Sequence, residues 1–227
     1  MRKLILIISL GILLSNCTSE KKSDKEQKVS FNEELSNELI ALKEIDQLAA
    51  KNARPPKEYD HLTPDQWDTK KDSIFRTHKI RLEEILKQYG YPGYDLVGEK
   101  AEQAYWLMVQ HSDFDPEFQK KVLLELEKQV QKENANSRNF GLLTDRVKIN
   151  TGQKQIYGTQ VTYISEKCQA IPKPLEDSAN VNKRRAEVGL PPIEEYLNMM
   201  SQMHFEMNKE NMIKRGVTEP YVYQVPQ

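Results

Sequence analysis

The chain has 227 residues, with 33 Lys and Arg against 34 Asp and Glu and a formal net charge of −1. That balance provides no basic field to hold phosphates, so no nucleic acid partner is expected. Charged residues make up 30% of the chain and the two signs are interspersed, the pattern of solvated helix faces.

Arg2 and Lys3 open the chain, an apolar run follows from Leu4 to Leu14, and Ser15-Asn16-Cys17 closes it. A basic start, a short apolar stretch and small residues before a cleavage point are the parts of a secretory signal. The run is too short to span a bilayer, which takes about 20 residues. The segment ending in Cys17 resembles the lipobox of bacterial lipoproteins, with Asn16 departing from the usual small residue before the Cys. The resemblance implies a signal peptide over 1–16, a diacylglycerol on the Cys17 sulfur and anchoring in the cell envelope, on an outer-membrane, periplasmic or surface face. Thr18 to Lys28 is polar and charged, so 17–29 reads as the acylated Cys and a flexible leash. With Cys17 acylated, Cys168 is the one thiol left and no internal disulfide can form. Cys168 reads as a buried small residue or, less simply, a reactive thiol.

Residues 30–227 read as one globular helical domain. Ser30 and Glu33 resemble a capping box, and Phe31, Leu35, Leu39, Leu42, Ile45 and Ala49 recur at helical spacing. Arg54-Pro55-Pro56 stops that helix. Thr63-Pro64-Asp65-Gln66 starts the next, with Trp67, Ile74, Leu82, Ile85 and Tyr89 on its buried side and Gly90 at its end. Val97 to Gln110 is apolar nearly all round, which predicts a helix at the centre of the core. Asp115-Pro116 begins a helix with Phe118, Val122, Leu126 and Val130 on one side. Phe140, Leu143 and Val147 predict another, ended by Asn150-Thr151-Gly152. From Gln155 to Ile164 β-formers dominate, and a turn near Glu166-Lys167 with a return through Cys168 to Ile171 makes a hairpin. Asp177 or Ser178 caps a helix closed by Gly189-Leu190-Pro191, and a last helix runs from about Pro192 to Lys214. The fold class is mainly α with one small β-hairpin (α+β): a compact helical array around a central apolar helix.

Val97-Gly98-Glu99-Lys100, Gln110-His111-Ser112-Asp113, Leu143-Thr144-Asp145-Arg146-Val147, Gln155-Ile156-Tyr157-Gly158-Thr159-Gln160 and Arg184-Arg185-Ala186-Glu187-Val188-Gly189-Leu190 resemble an uncharacterised bacterial domain of unknown function found in secreted and lipoprotein contexts. The resemblance covers about 90–196 and implies no activity, substrate or cofactor.

The same segments carry the candidate chemistry. His111 follows the most apolar helix, where burial and a carboxylate from Asp113 or Asp145 can tune and orient an imidazole for general-base work. The competing reading is a His that merely answers the negative end of its own helix. Arg146 offers a fork to a carboxylate or phosphate, or else an internal ion pair. Gln110, Gln155, Tyr157 and Gln160 supply amides and a phenol for hydrogen-bonded recognition or for a structural network, with Gln160 and Gly158 on one face of the strand. Arg184 is a further anion-binding candidate beside a solvated-face reading. Met199, Met200, Met203, His204 and Met207 suggest core filling, with soft-metal ligation as the alternative. No His-Glu-x-x-His, Cys-x-x-Cys, Gly-rich phosphate loop or Gly-x-Ser-x-Gly is present, so no metal and no cofactor is expected. The leading expectation is a membrane-anchored envelope lipoprotein that binds a small polar or anionic envelope ligand or acts as a scaffold. The alternative is a hydrolase or lyase with His111 as base.

Overall fold

The structure is a computed structural model and describes residues 30–225. Cys17, with the signal and leash read around it, lies outside the described residues. The fold is mainly helical, with eight helices and one two-stranded antiparallel hairpin among the described residues. None of these helices is long and apolar enough to cross a membrane.

Helix α1 (Glu33–Lys51) begins at Asn32, not at Ser30. Asn32 accepts from the Leu35 amide at 3.0 Å, while its own N–H reaches Leu96 O at 2.7 Å and ties the entry to the next layer. Phe31 and Ile45 point outward, so the buried stripe is Leu35, Ser36, Leu39, Asp46 and Ala49. Helix α2 (Pro64–Tyr89) has the expected capping box between Thr63 and Gln66. Tyr89 is more exposed than its spacing implies.

The predicted central helix is broken near its start. Tyr94–Val97 forms one turn, α3, and Glu99–Gln110 forms α4. Gly98 joins them at φ +78°, a left-handed conformation that side chains disfavour. Helix α4 is the axis of the main core. It packs against α1, α2 and α3, against α5 (Pro116–Gln131) and against α6 (Ser137–Asn150). Its aromatic side chains also lock neighbours by hydrogen bonds: Tyr105 Oη donates to Leu82 O at 3.1 Å and Trp106 Nε1 to Asn139 O at 3.0 Å.

A second, smaller core lies under the hairpin. Strands β1 (Val161–Ile164) and β2 (Gln169–Pro172) pair with Val161 opposite Pro172 and Ile164 opposite Gln169. The hairpin packs on α8 (Ile193–Lys214), where Ser201 Oγ receives the Ala170 amide at 2.9 Å. Helix α7 (Val181–Glu187) starts later than expected, because Asp177 folds its own turn onto the amides of Ala179 and Asn180. Cys168 is buried, with its thiol pushed up by burial, so it is a packing residue. Of the methionine stripe, Met200 packs half-buried against this smaller core, while Met199, Met203 and Met207 on α8 are exposed.

One acid lies inside the main core without a basic partner. Glu102 on α4 is 1% exposed and accepts from Tyr91 Oη at 2.5 Å. Burial raises its carboxyl above the ordinary value, outweighing the Tyr91 hydrogen bond that lowers it. A raised folded-state value means that folding is favoured by the neutral acid and penalised as the pH rises past it. Glu102→Gln should therefore raise the melting temperature at pH 8. The gain should fade as the pH drops below about 4, where the unfolded chain's carboxyl is also protonated. Thermal melts of both proteins across that range test it.

Candidate functional site

The C-terminal end of α4 is where polar groups concentrate. His111 is the C-cap residue and its imidazole is one-quarter exposed. Its Nδ1 lies 2.7 Å from Oδ1 of Asp46, which comes from α1 and is fully buried. His78, from α2, faces the other oxygen, with Nδ1 3.8 Å from Asp46 Oδ2. That exceeds a hydrogen bond, so the contact is electrostatic. Phe75 covers one side of the His111 ring, with centroids 5.2 Å apart. Burial alone would push the Asp46 carboxyl up, but the His111 hydrogen bond and the proximity of His78 outweigh it and hold it below the ordinary value.

The carboxylate at His111 is thus that of Asp46, and both acids expected there are committed elsewhere. Asp113 Oδ2 pairs with Arg146 Nη1 at 2.6 Å, and its Oδ1 receives Asn150 Nδ2 at 2.7 Å and Gln119 Nε2 at 3.1 Å. Arg146 also donates from Nε to Gln110 Oε1 at 2.8 Å. The result is a half-exposed network that fastens α6 to the end of α4. The ion-pair reading of Arg146 is the one the geometry displays, with Gln110 as its second acceptor.

Asp145 is one residue earlier on α6 and points to a different side. It is fully buried. Its Oδ1 accepts from the amides of Ile156 at 2.7 Å and Tyr157 at 3.0 Å, and its Oδ2 from the Thr159 amide at 2.8 Å and hydroxyl at 3.0 Å. Gln155, also buried, closes the same loop: Oε1 receives the Gln160 amide, and Nε2 donates to the carbonyls of Gln160 and Lys173. Residues 155–160 are therefore a loop wound on two side chains, not the predicted strand, and the expected alternation of faces does not occur. The loop's carbonyls are also taken. Arg184 holds Ile156 O while pairing with Asp177, Arg185 Nη1 holds Tyr157 O at 2.6 Å, and Tyr196 Oη holds Thr159 O at 2.7 Å. Tyr157 itself is half-buried, and burial together with the charge of Asp145 pushes its phenol up. Gln160 donates to Thr159 Oγ1.

Gln-His and Tyr-Gly-Thr-Gln thus meet α6 through consecutive residues, Arg146 and Asp145, and no hydrogen bond among the described residues joins the two peptides directly. The residues that sequence reasoning missed are Asp46 and His78. Their signal was a polar side chain in an apolar register: Asp46 is seven positions after Leu39, and His78 is four from both Ile74 and Leu82. Among the described residues no group of three or more His, Cys, Asp or Glu could hold a metal ion.

Asp145→Ala should cost at least about 3 kcal/mol, since it strands several buried amides that each lose about 1–3 kcal/mol of hydrogen bonding. Urea denaturation measures this, and a loss below about 1 kcal/mol would show that the loop does not depend on the carboxylate.

Residues 33–207 match the model of the family described as Family of unknown function (DUF6624), and the chain belongs to that family. The match takes in Asp46 and His78 as well as the 90–196 stretch. No curated protein and no solved structure matches the chain.

Proposed function

We propose that this member of the family is an envelope lipoprotein, tethered through Cys17, that uses His111 as a general base on a polar or anionic molecule of the cell envelope, in a hydrolase or lyase reaction. The observation that carries the reading is the 2.7 Å contact between His111 Nδ1 and the buried Asp46. A carboxylate on Nδ1 fixes the tautomer, leaves Nε2 to receive a proton and stabilises the imidazolium as it forms. Asp46 is held below its ordinary value, so it stays charged wherever the imidazole is neutral enough to act. In hydrolysis the proton comes from an attacking water; in elimination it comes from a carbon beside a carbonyl. Arg146, held by Gln110 and Asp113, is the guanidinium available to an anionic group of the substrate.

A second observation supports a working site. Three buried side-chain atoms with no partner in the structure, Asp46 Oδ2, His78 Nδ1 and Gln110 Nε2, belong to this cluster. Native proteins leave few such groups unpaired, and those they keep call for a role. Asp145, Gln155 and Arg184 hold the 155–160 loop, so they are not assigned to the substrate in this reading.

Incubation of the lipidated protein with a soluble cell-envelope extract, followed by mass spectrometry, should reveal a converted species. His111→Ala should slow the conversion by about 10²-fold or more. Conversion at an unchanged rate would remove His111 from the chemistry, and retention of a bound species without conversion would favour the binding module. The tether has its own test. Cys17→Ser should move the protein from the membrane to the soluble fraction, because stable anchoring takes the acyl chains. Continued membrane partition without a lipid label would refute it.

A further inference from the structure

The segment Val97-Gly98-Glu99-Lys100 takes no part in the His111 site. It lies at the other end of α4, where a recess of about 440 Å³ opens between α1, α3, α4 and the start of α6. That volume lies in the range of small-molecule sites. We propose that this recess binds a zwitterionic ligand of amino-acid or short-peptide size, its carboxylate facing Lys43 and Lys100 and its ammonium facing Glu99.

The lining carries both signs. Lys43 comes from α1, and Glu99 and Lys100 are exposed neighbours in the first turn of α4. A plain anion would meet Glu99 and a plain cation would meet two lysines; a ligand with both charges leaves neither repulsion. Lys43 has only a surface pair with its neighbour Glu44, at 2.9 Å, and such pairs are weak enough to be exchanged. The walls provide the neutral groups that a peptide unit uses. Gln103 gives its Oε1 to Asn139 Nδ2 at 2.9 Å, which leaves its own amide hydrogens to donate. Asn136 lines the same wall, and Ile40 and Tyr94 supply apolar area. Glu102 forms the floor, buried and bonded to Tyr91. Its carboxyl, raised by burial, suits a neutral donor or acceptor for the peptide link better than a counter-ion.

The test uses the full-length protein in detergent, with isotope-labelled amides followed by NMR, and three probes: alanyl-alanine, its N-acetyl form and its C-terminal amide. Alanyl-alanine should shift the amides of residues 99–103 and 136 saturably, and each capped form should bind about tenfold more weakly or worse, as expected for the loss of one charge-assisted contact. Lys100→Ala should weaken alanyl-alanine by a similar factor, while His111→Ala should leave it unchanged, which separates this site from the proposed base. No saturable shift up to about 10 mM, or equal binding of all three probes, would overturn the proposal.

Discussion

The carboxylate of Asp145 is the constraint on which the rest of the fold rests. It is fully buried on α6, and no cationic side chain among the described residues bonds to it. The Ile156, Tyr157 and Thr159 amides and a hydroxyl satisfy it instead. Backbone donors fixed by a loop are an adequate substitute for solvent, and they prevent the charge from costing several kcal/mol. In return the carboxylate dictates the path of 155–160. Arg184, Arg185 and Tyr196 can reach the loop's carbonyls only because that path is set. The hairpin and α7–α8 therefore dock on the helical core through a polar joint, while each side keeps its own apolar cluster.

Helix α6 divides two tasks between adjacent residues. One residue along a helix is a rotation of about 100°, so Asp145 and Arg146 cannot face the same partner. Asp145 turns to the loop and Arg146 to Gln110 and Asp113. The joint thus fixes the helix whose next residue holds Gln110, the chain neighbour of His111. Arg185 is the less satisfied member of the joint: fully buried, it donates to Pro191 O and Tyr157 O and lies over the Tyr196 ring, with Nη2 unpaired. Burial lowers its affinity for a proton, yet a guanidinium keeps its charge in proteins.

Much of the fold was legible because it follows from periodicity and caps. The Thr63–Gln66 box, the Gly90 stop, the apolar α4 and the hairpin turn each express a local rule, and local rules can be read from one sequence. Asn32 displaced Ser30 as cap because a contact to Leu96, more than 60 residues away, selects the entry. The 155–160 segment has β composition yet forms no strand, since Asp145 and Gln155 bind the backbone groups a ladder would need. The site was half legible. His111 stood out by following an apolar helix, but its carboxylate comes from a helix 65 positions upstream. Chain proximity favoured Asp113, and only the register of α1 marks Asp46 as inward.

The two ends of α4 are electrically unlike. Twelve residues span about 18 Å, enough to keep events at one end from touching the other directly. The C-terminal end of α4 carries partial negative charge, and there His111 caps the helix with Nδ1 on the buried Asp46. The N-terminal end carries partial positive charge and has no side-chain cap, because Gly98 occupies that place. There the acids Glu99 and Glu102 stand in the first turn, one at the surface and one driven inside the core. The dipole eases the burial of Glu102 without supplying a counter-ion, so its carboxyl remains raised. A single helix thus sets an oriented His–Asp pair at one tip and a buried acid with a raised carboxyl at the other, with the apolar side chains between them forming the core that holds both in place.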